Sequence, residues 1–301
     1  MRPVYVFPGQ GSQHPGMASG RTTRDPDAAR VFRLASEISG MDIASLCLEG
    51  DPSLLARTDV CQLSVAAVSL AWLTLLEKDG YRPKAVAGHS LGEYCAACAA
   101  GCLGAEDTLR LVWTRGRAML ECALERPGSM LAVIGLGEEE VRSLVEEARE
   151  DGFLHLANHN SELQCVVAGD TAALERMEAF ARKSGGRTVS LKVSGAFHTP
   201  AFRSAAAAVE EALQSMPVKD PSVPFFSGYS GTALEDGDSV ARALVEGMYS
   251  PVRWRDVQRA LLPLAAEGQV EVGPGKALNI MARRDHPHLA VYHVSELVGG
   301  G

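Results

Sequence analysis

The sequence lacks a surplus of positive charge, a long uninterrupted apolar run and a regular cysteine framework. Its 29 Lys and Arg residues are outnumbered by 37 Asp and Glu residues, and the resulting net charge of -8 argues against a nucleic-acid partner. No segment offers an unbroken membrane-spanning run, and the first residues lack the features of a secretory signal. These absences predict a cytoplasmic protein with no membrane partner, which we expect to be a monomer.

The seven cysteines are odd in number and unevenly spaced, so they predict free, reduced thiols rather than disulfides. Cys95, Cys98 and Cys102 stand at i, i+3 and i+7, a spacing that one helix face could offer to a metal ion. The alanines around them favour a simpler interpretation, in which small side chains pack a buried helix. The sequence therefore predicts no metal site, and no cofactor is expected.

Short apolar runs that end at glycine alternate with helical patterns along much of the chain. Val4 to Phe7, Ala85 to Ala87 and Val270 to Val272 have the character of buried strands. The segment Leu63 to Leu76 is almost wholly apolar and too long for a strand, which predicts a buried helix. This alternation is typical of a parallel sheet wrapped by helices, an α/β fold.

The middle of the chain has a different order of strand and helix patterns. This order predicts a small domain at 127–195 inserted into a larger one formed by 1–126 and 196–298. Strand patterns at 130–134, 154–157, 164–168 and 187–193 are interrupted by two amphipathic helical patterns. The order is β-α-β-β-α-β, the ferredoxin-like arrangement. A cleft between the two domains would be a natural ligand site.

The segment Gly88-His89-Ser90-Leu91-Gly92 follows a predicted strand and precedes a helical run from Glu93 to Ala100. This is the strand-turn-helix setting of a nucleophile elbow, and it predicts an α/β-hydrolase-like large domain with Ser90 as nucleophile. The glycines permit a sharp turn, and the backbone N–H of Leu91 would face a developing oxyanion. A tight surface turn is the alternative, because the five-residue pattern alone is common.

A serine nucleophile needs a base, and His198 is the best candidate among the eight histidines. It lies in the turn Ser-Gly-Ala-Phe-His-Thr-Pro, just after the predicted small domain. The others outside the elbow have no comparable setting and are expected to be surface or structural residues: His14, His155, His159, His286, His288 and His293.

Two further segments have weaker signals. The glycine-rich turn Phe7 to Gln13 ends the first predicted strand, and its backbone N–H groups could complete an oxyanion hole. It lacks the Lys-Ser/Thr pair of a phosphate-binding loop. Arg115 lies in a helical stretch and is followed by glycine, a setting in which an arginine is ordinarily a solvated surface residue.

Taken together, these segments resemble the malonyl-CoA:acyl carrier protein transacylase family, which includes free-standing, trans-acting acyltransferases of polyketide synthases. The resemblance runs in order along nearly the whole chain. Its matching blocks are Phe7 to Gln13, Gly88 to Glu93, Arg115 to Met119, Asn158 to Gly169, Gly195 to His198, Ser250 to Trp254 and Glu271 to Lys276.

The resemblance implies a ping-pong exchange in which Ser90 takes the acyl group from coenzyme A as an ester and His198 acts as base and then acid. The N–H groups of Gln10 and Leu91 would hold the oxyanion. Arg115 would pair bidentately with the free carboxylate of a malonyl group. The acceptor would be the phosphopantetheine thiol of an acyl carrier protein.

The resemblance implies further substrate-site residues, and near two of them the sequence departs from the family pattern. Phe197 belongs to an Ala-Phe-His pattern that the family associates with malonyl rather than methylmalonyl, since the ring would fill the space of an α-methyl group. Gln62 matches the family's glutamine, but Leu63 replaces the proline expected next. Gly247 stands where the family usually has a glutamine near the histidine. If the family's contact is through the backbone carbonyl, glycine can still orient His198; if a side-chain amide is needed, the histidine is less well held.

Malonyl transfer to a carrier protein, for polyketide or fatty acid synthesis, is therefore the leading hypothesis. Hydrolysis by an acyl hydrolase or thioesterase of the same fold is the alternative, although burying Arg115 would bring such an enzyme no gain. A scaffold that lost its chemistry is a third hypothesis.

Carrier proteins are usually acidic, so a basic surface on the small domain is expected to contact them. The alternative is that these residues are a solvated helix end. The residues are Arg182, Lys183, Arg187 and Lys192.

Overall fold

The computed structural model describes residues 2–18, 20–150 and 152–299. Numbered in chain order, the strands are β1 (Val4–Phe7), β2 (Ala85–Gly88), β3 (Ser129–Ile134), β4 (Leu154–Ser161), β5 (Gln164–Gly169), β6 (Arg187–Ser190), β7 (Phe225–Phe226), β8 (Ala233–Leu234), β9 (Gln269–Glu271) and β10 (Val291–His293). They form two separate sheets.

The helices, also numbered in chain order, surround these sheets. They are α1 (Arg21–Arg24), α2 (Pro26–Ser39), α3 (Ile43–Glu49), α4 (Pro52–Leu55), α5 (Thr58–Lys78), α6 (Gly92–Ala99), α7 (Ala105–Glu125), α8 (Glu138–Arg149), α9 (Thr171–Lys183), α10 (Arg203–Leu213), α11 (Gly237–Glu246), α12 (Trp254–Leu261), α13 (Ala277–Asp285) and α14 (Val294–Leu297).

The larger sheet has the strand order β10-β9-β1-β2-β7-β8, and its pairs are parallel except at the β8 edge. All four residues of β1 and of β2 are buried, because helices cover both faces of the sheet. The predicted strands at 4–7, 85–87 and 270–272 are therefore confirmed within a residue. Since β1 and β2 are neighbours, the loops that follow them meet at one edge of the sheet.

Helix α5 confirms the buried helix predicted from Leu63 to Leu76. By length and composition it could cross a membrane, yet 94% of its apolar window is buried inside the protein, as in a core helix. It packs against α7 at Gly116, where an added Cβ would lie 2.8 Å from the Cα of Asp59. Glycine at this position therefore lets the two long helices approach closely, and the neighbouring Arg115 is drawn into the interior.

The smaller sheet is antiparallel, with the strand order β4-β5-β3-β6, and α8 and α9 cover one of its faces. With the element order β-α-β-β-α-β, this is the predicted ferredoxin-like arrangement, although its last strand ends at Ser190 rather than at Val193. Side chains alternate along β3: Leu131 and Val133 pack under the two helices, whereas Met130 and Ala132 join the core of the larger domain. Both faces of the small sheet are thus covered.

Candidate active site

Ser90 stands in a sharp turn between β2 and α6, at the carboxyl edge of the larger sheet. Its φ of 53° lies in the left-handed region, an uncommon backbone conformation that is concentrated at functional sites. The turn is possible because Gly88 and Gly92 touch: a Cβ on Gly88 would collide with the backbone of Gly92. The local geometry is that of a nucleophile elbow.

His198 lies beside Ser90, 108 residues further along the chain, and its Nε2 is 2.7 Å from the serine Oγ. The Nδ1 is 2.8 Å from the carbonyl oxygen of Gly247, so Nδ1–H donates to that oxygen and Nε2 accepts from the serine hydroxyl. The imidazole is 4% exposed. Its orienting partner is a backbone carbonyl, the contact that a glycine at 247 still supplies.

The pKa of His198 is lowered to about 3, first by burial and then by the positive charge of Arg115, which outweigh the contact with Gly247. A lowered pKa means that the imidazole stays neutral throughout the physiological range. It is therefore in the protonation state that a general base requires.

Arg115 is 2% exposed, in contrast to the surface position that its sequence setting alone suggested. One terminal nitrogen lies 3.0 Å from the Ser90 Oγ, and the other donates to the Oε1 of Gln62 at 2.6 Å. Its Nε has no hydrogen-bond partner among the described residues. Burial lowers the pKa of this guanidinium. A buried cation with an unused donor, next to a nucleophile, suits an incoming anion.

Gln62 and Gln10 complete the polar wall behind the serine. The Gln62 amide nitrogen lies 3.4 Å from the Gln10 Oε1 and 3.5 Å from the Met119 sulfur. Within the described residues, the backbone N–H groups of Gln10 and Leu91 donate to no other group. Both are on the loops that meet at the edge of the sheet, and both are free to bind an oxygen anion.

Phe197, directly before the catalytic histidine, is buried. Its ring packs edge-to-face on Phe202, with 5.1 Å between the ring centroids. The structure brings together Ser90, His198, Arg115, Gln62, Gln10, Leu91 and Gly247.

A small cavity of about 10 Å³ lies beside Ser90 and Arg115. It is lined further by α6, by the loop at 228–229 and by the end of α11, and it includes two residues that the sequence did not single out for function, Glu93 and Tyr94. The Tyr94 ring lies 5.5 Å from the Arg115 guanidinium carbon and stacks on the cation. The sequence signal for a functional role of Glu93 was its position directly after the Gly88 to Gly92 motif.

His89, which precedes the nucleophile, is held in place by a residue of the small domain. The Nε2 of His89 lies 2.9 Å from the side-chain oxygen of Asn160, and the ring meets Trp254 at 5.6 Å between centroids. Burial lowers the pKa of His89, so the ring stays neutral. Asn160, in the Asn158 to Gly169 block, thereby ties the elbow to the neighbouring domain.

The structure offers no alternative chemistry at the cysteines. Cys95 and Cys102 are buried, and burial raises the pKa of the Cys98 thiol to about 12. Across residues 2–18, 20–150 and 152–299, no group of three or more His, Cys, Asp or Glu side chains is arranged to hold a metal ion.

Comparison with known proteins places this chain in a family. The acyl transferase domain family matches residues 4–293. The malonyl CoA-acyl carrier protein transacylase of Bacillus subtilis is 34% identical over 295 residues, which cover 97% of this chain and 93% of that protein.

Solved structures agree with this match. The malonyl CoA-acyl carrier protein transacylase of Coxiella burnetii superposes with a TM-score of 0.94 at 29% identity, covering 99% of this chain and 96% of that one. A malonyl-transacylase in complex with its type II PKS acyl-carrier protein superposes with a TM-score of 0.92 at 30% identity, covering 97% and 96%. The chain therefore belongs to the malonyl-CoA:acyl carrier protein transacylase family of acyl transferases.

Proposed function

We propose that this enzyme moves a malonyl group from malonyl-CoA to the phosphopantetheine thiol of an acyl carrier protein, through an ester on Ser90. The observation that carries the proposal is the buried guanidinium of Arg115, 3.0 Å from the serine Oγ. A cation at this distance from the nucleophile matches an acyl group that itself carries a carboxylate. The similar proteins named above act on the same donor, and one is bound to a carrier protein.

In the first half-reaction, the Ser90 Oγ attacks the thioester carbonyl while its proton passes to the Nε2 of His198. The oxyanion that forms is held by the N–H groups of Gln10 and Leu91. When the tetrahedral intermediate collapses, the carbon–sulfur bond breaks, and the His198 proton passes to the departing coenzyme A sulfur. Malonyl-Ser90 remains.

The second half-reaction runs the same steps in reverse with a different thiol. His198 takes the proton of the carrier's phosphopantetheine thiol, and the sulfur attacks the ester carbonyl. The bond between the acyl carbon and the Ser90 Oγ then breaks, and the proton returns to the Oγ. The Nδ1–H of His198 donates to the Gly247 carbonyl throughout, so the base keeps one orientation in both halves. Arg115 and Gln62 hold the malonyl carboxylate in place.

The experiment is to incubate the protein with malonyl-CoA and to locate the adduct by mass spectrometry. We expect a malonyl ester on Ser90, no adduct on Ser90→Ala, and transfer to a carrier-protein thiol that exceeds release to water. Faster release to water than to the thiol would instead establish the hydrolase. Acylation by acetyl-CoA with no malonyl adduct would contradict the proposal.

Arg115→Met tests the carboxylate selector directly. The methionine keeps much of the volume but removes the charge, so the rate of malonyl transfer should fall by about a hundredfold or more, as expected for losing a buried charged contact of about 3 kcal/mol. Transfer from acetyl-CoA should not fall in parallel. Arg117→Met, on an exposed face of the same helix, is the matched control and should retain the wild-type rate.

We also propose that the carrier contacts the basic residues of the small domain. All four are exposed: Arg182, Lys183, Arg187 and Lys192. Arg182 is paired with Glu178 at 2.6 Å, which offsets part of its charge. Charge reversal at all four should slow transfer to the carrier protein while leaving Ser90 malonylation intact, and an unchanged transfer rate would exclude this docking role.

A cytoplasmic, monomeric enzyme that binds neither nucleic acid nor membrane is part of the same proposal. Its support is the acidic net charge of -8 and seven cysteines without a disulfide among the described residues, a state typical of a reducing compartment. Whether the malonyl group enters fatty acid or polyketide synthesis depends on the carrier, and the Ala-Phe-His turn favours a trans-acting polyketide enzyme.

A further inference from the structure

Glu93 is a buried carboxyl group that the transfer mechanism does not use. It lies in the first turn of α6, three residues after the nucleophile, and it is 4% exposed. It lines the same cavity as Ser90 and Arg115. Buried carboxyl groups are rare unless they are paired or protonated, so this position requires an explanation.

The carboxyl group is held by the loop on the other side of the cavity. Ser227 and Glu93 form a short hydrogen bond through the serine Oγ and the carboxyl Oε1, and the backbone N–H of Gly228 also contacts the carboxyl. Burial raises the pKa of Glu93 to about 8, although Ser227 and Arg115 act in the opposite direction. Glu93 is therefore a neutral acid near pH 7 that ionises within the range in which the enzyme can be assayed.

Few other charges face this group. Arg115 is the cation that acts on it, and within the part of the chain that the structure describes, Glu93 is the one carboxyl group that lines the cavity. The pKa of Tyr94 is raised by burial, and the neighbouring His89 and His198 have lowered pKa values, so all three stay neutral between pH 7 and pH 9. Tyr229, across the cavity, donates to Glu246, which faces a groove beside α10.

The charge balance of the cavity depends on Glu93. With Glu93 neutral, the cavity has one positive charge, and an arriving malonyl carboxylate brings the sum to zero. With Glu93 ionised, Arg115 is already balanced, and the malonyl carboxylate would bring an excess negative charge into a space that is largely closed to water.

We propose that Glu93 sets the charge of the acyl cavity: its neutral form admits the malonyl carboxylate, and its ionised form competes with that carboxylate for Arg115. Glu93 is thus a specificity-determining residue that selects for dicarboxylic acyl groups only while it is protonated. This inference rests on the proposed malonyl transfer.

The consequence for pH follows from the direction of the ionisation. Bound malonyl stabilises the protonated form of Glu93, so malonyl-CoA binding takes up a proton once the pH exceeds the pKa of the free enzyme. The KM for malonyl-CoA should therefore rise with pH, by as much as about tenfold between pH 7 and pH 9 for a single ionisation. The KM for acetyl-CoA, which has no carboxylate, should stay flat.

The test measures KM for malonyl-CoA and acetyl-CoA, each at pH 7, 8 and 9, in wild type and Glu93→Gln. Glutamine imitates the protonated acid, because it is neutral and its amide oxygen can still accept from the Ser227 hydroxyl. We expect the ratio of malonyl-CoA KM at pH 9 to that at pH 7 to fall from about ten to about one. A wild-type ratio near one, or the same rise in both proteins, would overturn the proposal.

Ser227→Ala provides a second measurement that keeps the carboxyl group. Its hydrogen bond lowers the pKa of Glu93, so removing it should move the rise in KM to higher pH. An unmoved or lower midpoint contradicts the role of Glu93. Wild type that forms no malonyl ester at pH 7 contradicts the proposed function itself, whereas an ester with a pH-independent KM contradicts this inference alone.

Discussion

Two buried histidines, His198 in the active site and His159 at the junction of the two domains, are held in opposite ways. His198 has an uncharged backbone carbonyl at Nδ1 and the nucleophile at Nε2. His159 has the carboxylate of Glu138 at 2.9 Å from Nδ1 and the guanidinium of Arg142 at 3.4 Å from Nε2. Arg255 from α12 also pairs with Glu138, at 2.8 Å.

The difference shows that a carboxylate beside a histidine does not by itself identify catalysis. Burial alone would raise the pKa of Glu138, but Arg142, His159 and Arg255 outweigh it and lower the pKa to about 2. Every charge in this group has a protein partner, as in a structural ion-pair network. In the active site, by contrast, the Nε of Arg115 has no partner within the described residues, and the Nε2 of His198 faces the Ser90 hydroxyl, whose proton it can accept.

The strongest test of this comparison substitutes each histidine in turn. His198→Ala should lower malonyl transfer by about a thousandfold or more, because the general base is lost. His159→Ala should leave the transfer rate within about threefold and lower the free energy of unfolding instead, because Glu138 loses a partner. Steady-state rates and urea unfolding of both variants would decide. A comparable rate loss in both variants would contradict the assignment of His159 to a structural role.

Glu138→Gln should destabilise the protein without affecting catalysis. Removing a mostly buried carboxylate that faces two arginines should cost about 1–3 kcal/mol of unfolding free energy at pH 7. Because the pKa of Glu138 is lowered on folding, its contribution is complete above about pH 4.5 and is lost as the pH falls towards 2. Wild type and variant should thus converge on acidification. A constant difference in urea midpoints would show that packing, not charge, is responsible.

Gly247→Gln should have the smallest effect, changing the transfer rate by no more than about threefold, because the partner of His198 is the backbone carbonyl and is retained. A Cβ there would lie 2.7 Å from the Ala243 carbonyl oxygen, so the end of α11 must shift slightly. Rates and thermal unfolding would be measured together. A rate gain of tenfold would indicate that a side-chain amide at 247 is needed. His198 would then depend on a side-chain partner, as His159 does.

Much of the fold was predictable because its signals are local. The apolar run at 63–76, the strand patterns at 4–7 and 85–87, and the element order of the small domain each depend on residues close in sequence. The elbow was predictable for the same reason, since Gly88, Ser90 and Gly92 are close together in one segment.

The rest of the site depends on contacts between distant segments. Nothing near Arg115 indicates burial, which results from the packing of α7 on α5 at Gly116. The acceptor of His198 is a carbonyl group, which every residue has, so no residue type could mark it.

The close contact at Gly116 has a consequence for altering the substrate. The guanidinium that faces Ser90 is delivered by a 21-residue core helix rather than by a surface loop. Exchanging loops with a relative would therefore leave this cation in place, whereas any larger residue at 116 would move it by separating two helices. Redirecting this enzyme to uncharged acyl groups is a problem of repacking its interior.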